Sequence, residues 1–198
     1  EKMVLNNITY SFKSGQKYVI FGQSGSGKTT LIMLLASFLK PKKGSIAYFS
    51  NDTLIDSNPD ISYLIQDDCL FDDTIRNNVK ISNPEITDDT LECIIEDCLL
   101  KNVEKALDCK SIGENGCKIS GGERKRVQLA QSLARTSASI IIFDELSSSL
   151  DSKSFDIIMS NIQKYLSNKI SIFIEHNTSY NYSNFTRLTI NDGKLYYD

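Results

Sequence analysis

The segment Gly22-Gln23-Ser24-Gly25-Ser26-Gly27-Lys28-Thr29 constrains this chain most, because the apolar run Tyr18-Val19-Ile20-Phe21 precedes it and a helical pattern over Thr29 to Leu39 follows. The apolar run reads as a buried strand, and G-x-x-x-x-G-K-[ST] after it reads as a loop feeding a helix. Strand, loop and helix in that order are the context a phosphate-binding loop requires. Its glycines let backbone N–H groups turn inward around phosphate oxygens. Lys28 can reach the β- and γ-phosphates, and the Thr29 hydroxyl can coordinate Mg²⁺. Gly22, Gln23, Ser24, Gly25, Ser26, Gly27, Lys28, Thr29 and Thr30 are the expected nucleotide-binding residues.

The rest of the chain supplies a sheet for that loop. Ser45 to Phe49 and Ile61 to Ile65 read as strands, and Ser139 to Phe143 and Ile170 to Ile174 are β-branched runs of the kind buried in parallel sheets. Helices between such strands imply an α/β fold, with the first helix stopped by Pro41. Cys69 to Cys117 carries no strong strand run but has helical patterns at Thr74 to Val79, Thr87 to Leu100 and Val103 to Leu107, so it reads as a helical insertion. Leu188 to Ile190, Asn191-Asp192-Gly193 and Lys194 to Tyr197 have the chemistry of a β-hairpin.

Composition excludes several classes of function. A formal charge of -3 gives no electrostatic case for a nucleic-acid partner, and the short Arg124-Lys125-Arg126 cluster reads as a solvated helix face. The longest apolar run, Leu31 to Leu39, is far too short to cross a bilayer, and no signal-peptide pattern opens the chain. The five cysteines, at 69, 93, 98, 109 and 117, contain no C-x-x-C pair and have no histidine nearby. Reduced, partly buried thiols are expected rather than disulfides or a zinc site.

Beyond the glycine loop, four places carry chemistry. Asp144 and Glu145 end the run Ile140 to Phe143, at the carboxyl edge where ligands of open α/β sheets bind. Asp144 suits Mg²⁺, and Glu145 is placed to polarise an attacking water as general base. His176, the only histidine, follows the strand Ile170 to Ile174, as Gln66 follows Ile61 to Ile65, so both fall at the same edge. Ser120-Gly121-Gly122 stands just before the helical pattern of Val127, Ala130, Leu133 and Ala134. It offers backbone donors at a helix N-terminus, a second place for phosphate.

These landmarks, in this order, resemble the nucleotide-binding domain of an ATP-binding cassette (ABC) transporter over nearly the whole chain. Gly22 to Thr29 is similar to the phosphate loop, Gln66 to the Q-loop glutamine, and Ile119-Ser120-Gly121-Gly122-Glu123 to the signature. Ile140 to Asp144 resembles the Walker B strand and Glu145 the catalytic glutamate. Ser148-Ser149-Leu150-Asp151 resembles the D-loop that crosses between subunits, and His176 the switch histidine. The resemblance implies a P-loop NTPase (RecA-like) core over 1–66 and 118–198, with a mainly parallel sheet, an antiparallel β element and an inserted α-helical subdomain over 67–117. It implies Mg²⁺ on Thr29, Gln66 and Asp144, with ATP as substrate. Two chains would dimerise head-to-tail, with Ser120, Gly121, Gly122 and Glu123 acting in trans and Ser148, Leu150 and Asp151 at the crossing.

Leu70 to Val79 and Ile112-Gly113-Glu114-Asn115-Gly116 resemble exporter segments that face a membrane partner. The resemblance therefore implies transmembrane domains, N-terminal in the same polypeptide, a second nucleotide-binding domain, identical or different, and a place at the cytoplasmic face of a membrane. Ile119 and Glu123 depart from the usual leucine and glutamine. The family's adenine-stacking aromatic lies upstream of the segment resembling Val4 to Ile20, and Tyr10 matches a later strand, so an excised domain with weakened adenine contact is expected. Two other readings stay open: a soluble ABC ATPase driving a non-transport process, and a nucleotide-binding module without turnover.

Overall fold

A computed structural model describes residues 4–65, 69–176 and 182–197. The chain runs β1 (Lys17–Phe21), α1 (Lys28–Leu35), β2 (Tyr48–Ser50), β3 (Thr53–Ile55), β4 (Ile61–Leu64), α2 (Ile75–Lys80), α3 (Asp88–Asp97), α4 (Lys101–Ala106) and α5 (Gly121–Ala134). It continues through β5 (Ile140–Asp144), α6 (Ser152–Asn161), α7 (Gln163–Leu166), β6 (Ile170–Glu175), β7 (Thr186–Asn191) and β8 (Lys194–Tyr197). Six strands form one sheet in the order β4-β5-β6-β1-β7-β8, and β2 pairs with β3 as a separate hairpin. The first four pairings are parallel, and only β8 runs antiparallel to its neighbour.

The central strands are apolar at nearly every position because both faces of the sheet are covered, and every residue of β5 is buried. Alternation divides them between two cores. Val19, Ile141, Phe143 and Phe173 pack with Val127, Phe155 and Ile158 on one face. Tyr18, Ile20, Ile142, Ile172 and Ile174 pack with Leu31 and Ile32 of α1 on the other. The helical segment expected between Cys69 and Cys117 is present as α2, α3 and α4. Its Ile75, Val79, Leu91, Ile94 and Ile95 join the first of those cores. The two exporter-like segments meet there: Ile112 N–H donates to the Asp73 carbonyl at 2.9 Å and Asn115 N–H to the Leu70 carbonyl at 3.1 Å.

Several boundaries differ from expectation, each for a local reason. The first helix ends at Leu35, not Leu39, because Ser37 turns left-handed (φ 61°) and the Ala36 and Phe38 N–H groups close back on Ile32 and Met33. Ser45 to Ala47 form no strand. The strand begins at Tyr48 and turns through Asn51 and Asp52, both left-handed, into β3, an element that the sequence pattern does not announce. The C-terminal hairpin forms as expected around Asp192 and Gly193, with φ of 46° and 73°.

The basic cluster is not a solvated face. Arg124 is exposed, but Lys125 is buried and donates to the Asp144 carbonyl at 3.0 Å, and Arg126 donates to the Leu99 carbonyl at 2.6 Å. Of the cysteines, Cys98 alone is buried.

Candidate nucleotide site

The parallel strands place the candidate residues level with one another. In register, Phe21 of β1 faces Glu175 of β6, and Asp144 of β5 faces Ile174 of β6, so the glycine loop, Asp144-Glu145 and His176 leave the sheet at one edge. This is the carboxyl edge where open α/β sheets bind ligands. β4 ends at the same edge, with Leu64 beside Phe143. Gln66, two residues further on, lies outside the described residues.

Lys28 opens α1 from Gly27, whose φ of 110° is a backbone state that side-chain-bearing residues rarely adopt. A Cβ there would also stand 2.7 Å from the Leu5 side chain. The Lys28 ammonium is turned into the loop, donating to the Gly22 carbonyl at 2.6 Å and the Gln23 carbonyl at 3.0 Å, with His176 Nδ1 3.5 Å away. Burial lowers its pKa, partly offset by the Asp144 and Glu145 carboxylates. Thr29 is exposed beside it, and Thr30 half-buried. Gln23, Ser24 and Gly25 form the exposed crest of the loop, whereas the Ser26 hydroxyl is buried without a partner among the described residues.

Glu145 sits in the left-handed region at φ 50°, ψ 48°, heading a 3₁₀ turn over Leu146–Ser149. Its Oε1 lies 2.7 Å from His176 Nε2. Asp144 is buried and accepts the Tyr63 hydroxyl at 3.1 Å. Burial raises its carboxyl above the usual range against the opposing Tyr63 bond, and the Glu145 charge adds to the rise. Tyr63 is raised in turn by burial and by Asp144.

The site thus holds a cation over the loop, a carboxylate–imidazole pair beside it and a separate buried carboxyl. The oxygen donors of Thr29 and Asp144 suit a hard cation that keeps substrate and water oxygens as its remaining ligands. Among the described residues no group of three or more His, Cys, Asp or Glu could enclose a metal by itself.

The signature-like segment stands elsewhere. Ser120 caps α5: its hydroxyl accepts the Glu123 N–H at 3.2 Å, and the Glu123 carboxylate accepts the Ser120 N–H at 2.7 Å. This capping box works with Glu or Gln, so Glu123 keeps the local structure of the usual glutamine. Ile119 is buried in the core. Gly122 lies against the 3₁₀ turn, where a Cβ would meet the Ser149 carbonyl at 2.8 Å. Gly121 is exposed, and a Cβ on it would meet nothing nearer than Arg124 at 3.7 Å. In the D-loop-like segment Ser148 is exposed, Leu150 is buried in the core and Asp151 caps α6 through Ser154 N–H at 2.9 Å. Tyr10 packs against Phe12, Tyr18 and Tyr197, so its ring is committed to the core.

Sequence reasoning missed Tyr63, Lys125 and Glu175, which fix Asp144 and the segments carrying Glu145 and His176. The signal for Glu175 was available: a lone acidic residue directly after the apolar run Ile172-Phe173-Ile174.

The chain is similar to known proteins over most of its length. The model of the ABC transporter family matches residues 5–148. The leukotoxin translocation ATP-binding protein LktB of Pasteurella haemolytica-like sp. (strain 5943B) is 35% identical over 186 residues, spanning 89% of this chain and 26% of its own length. The mitochondrial iron-sulfur clusters transporter ABCB7 of Danio rerio is 32% identical over 97% of this chain and 27% of its own length. The ATP-dependent lipid A-core flippase of Francisella novicida is 31% identical over 98% of this chain and 34% of its own. A bacterial Atm1-family ABC exporter solved with ATP bound superposes with a TM-score of 0.85 at 26% identity, over 97% of this chain and 35% of that one. The chain therefore spans about a quarter to a third of the length of these relatives. On a family match over most of its length and a fold that places the phosphate loop, Asp144-Glu145 and His176 at one sheet edge, the chain belongs to the ABC transporter family as an ATP-binding domain.

Proposed function

We propose that the domain hydrolyses ATP to drive an exporter-type transporter, and that the observation carrying this reading is the Glu145–His176 contact of 2.7 Å beside Lys28. Gly22 to Thr30 bind the triphosphate. The Lys28 ammonium exchanges its two loop carbonyls for β- and γ-phosphate oxygens, and its lowered pKa reflects a desolvated cation that an anion would restore. Thr29, Asp144 and Gln66 would hold Mg²⁺, which would neutralise charge on the phosphates. Glu145 takes the proton of the attacking water as general base, and His176 holds Glu145 and the γ-phosphate in a common geometry.

The second half of the site comes from a partner domain, identical or different. Ser120, Gly121, Gly122 and Glu123 of one chain close over the phosphates held by the other, with Ser148, Leu150 and Asp151 near the crossing. Support comes from Gly121, for which the chain's own packing gives no steric reason to be glycine. Residues 1–66 and 118–198 act as the ATP-binding core and 67–117 as the helical lobe facing the membrane partner. The exposed Phe71 and Ile81 line a groove of about 230 Å³ with Tyr63 and Gln128, a surface of the kind such a partner covers. Among the described residues no helix is long and apolar enough to cross a membrane, and the spans of the proposed transporter belong to another part of it. The names of a leukotoxin export relative and of the Atm1-family exporter speak for export, and the domain would work at the cytoplasmic face of a membrane.

The test is phosphate release from MgATP. Glu145→Gln should bind ATP and dimerise while losing about 10²–10⁴-fold in turnover, the usual contribution of a general base. Normal turnover in that variant would overturn the assignment.

A further inference from the structure

Glu175 closes β6 one residue before His176 and is 1% exposed, yet the hydrolytic scheme above makes no use of it. Its carboxylate accepts the Ser147 N–H at 3.3 Å, the Ser147 hydroxyl, and the Tyr182 hydroxyl at 2.8 Å. Ser147 stands two residues beyond Glu145 in the 3₁₀ turn. One buried carboxylate thus ties the turn that presents Glu145 to the strand that presents His176. A backbone bond runs alongside, from Glu145 N–H to the Ile174 carbonyl at 3.0 Å.

Such a group is costly to bury unless hydrogen bonds satisfy it, and here donors from two segments converge on it. Tyr182 is itself fully buried, packed edge-on against Phe21, Phe155 and Phe185, so its hydroxyl is held in place by rings. Glu145 needs bracing: a non-glycine residue in the left-handed region persists only where its surroundings over-determine it.

We infer that Glu175, with Ser147 and Tyr182, is a positioning residue for ATP hydrolysis that fixes how Glu145 and His176 face each other. The inference rests on the roles proposed above for those two residues. Glu175 acts only through them and touches neither nucleotide nor water.

The experiment compares wild type, Glu145→Gln, Glu175→Ala, Glu175→Gln, Ser147→Ala and the double variant Glu175→Ala/Ser147→Ala in the 198-residue chain. Loss of orientation should lower kcat of Glu175→Ala about tenfold or more while KM for ATP stays within about twofold. Glu175→Gln, which still accepts hydrogen bonds, should recover to within about threefold of wild type. The double variant should be no worse than Glu175→Ala, because both changes open the same clamp.

A second readout needs no nucleotide. The chain has one histidine, so its imidazole Cε1–H gives a single NMR signal that reports the Glu145 contact. Glu175→Ala and Ser147→Ala should move that signal as Glu145→Gln does, and Glu175→Gln should leave it in place. If Glu175→Ala does not fold, Ser147→Ala and Glu175→Gln carry both readouts. Wild-type kcat with an unmoved signal in Glu175→Ala or Ser147→Ala would overturn the inference, as would a Glu175→Gln as impaired as Glu175→Ala. If the wild type releases no phosphate, or Glu145→Gln hydrolyses normally, the hydrolytic scheme fails, and the imidazole signal still decides whether the clamp exists.

Discussion

Asp144 and Glu175 are both carboxyls that burial holds above their usual range, but they face different surroundings. Asp144 meets Tyr63 at the sheet edge, whereas Glu175 is enclosed by Ser147 and Tyr182. A carboxyl with a raised folded pKa binds its proton more tightly in the folded state. Its contribution to stability is therefore fullest below the unfolded value of 4.5 and is lost as pH rises through the folded value. Glu175→Gln removes that loss, so its urea midpoint should gain on the wild type as pH rises from 4.5 toward neutrality; a gap independent of pH would contradict this. Cys98 offers a simpler check, since burial above all pushes its thiol up while Cys69, Cys93, Cys109 and Cys117 are exposed. A thiol reagent should label those four in the native chain and Cys98 only on unfolding.

At the scale of elements, the start of α5 is fixed by its own side chains. The Ser120–Glu123 box satisfies N–H groups that a bare helix start would leave unpaired. Glu123→Ala should cost roughly 0.5–1 kcal/mol in urea unfolding, and Glu123→Gln close to nothing, because glutamine also completes the box. Equal losses in the two variants would show that charge at the helix start, not the hydrogen bond, matters.

Elements whose physics is local are legible in the sequence. β1, β5 and β6 show as short apolar runs because both faces of the sheet are buried, and the glycine loop shows because its spacing is tied to a strand and a helix. The end of α1 is not legible, since Pro41 is the obvious stop while the real one is a left-handed serine. β3 escapes notice because Asn51-Asp52 supplies a tight turn without the glycine that usually marks one. Lys125 misleads because a basic cluster looks solvated until β5 is packed against the helix. The Asp144 carbonyl that accepts from its buried ammonium is 19 residues away in sequence.

For the whole molecule, the phosphate loop and the signature-like segment are joined to the same core but serve different surfaces. Gly122 packs against the turn that follows Glu145, so this part of α5 is fixed from within the chain. Gly121, its neighbour, is exposed, and a Cβ there would meet only the end of the Arg124 side chain, in ordinary contact at 3.7 Å. A glycine needed for neither backbone conformation nor internal packing leaves room for a group outside the chain, and the proposed head-to-tail dimer would bring the other domain's triphosphate there. Gly121→Asp puts a carboxylate where that anion would sit. The variant should fold and bind ATP as a monomer within about twofold of wild type, because space is available and Lys28 is untouched, yet fail to dimerise with ATP and lose turnover. Placing it in the Glu145→Gln background, where the ATP-bound dimer should accumulate, allows sedimentation to read dimerisation without hydrolysis. A dimer that persists in the double variant would remove the signature from the interface. A monomer that no longer binds ATP would return the segment to its own chain's nucleotide.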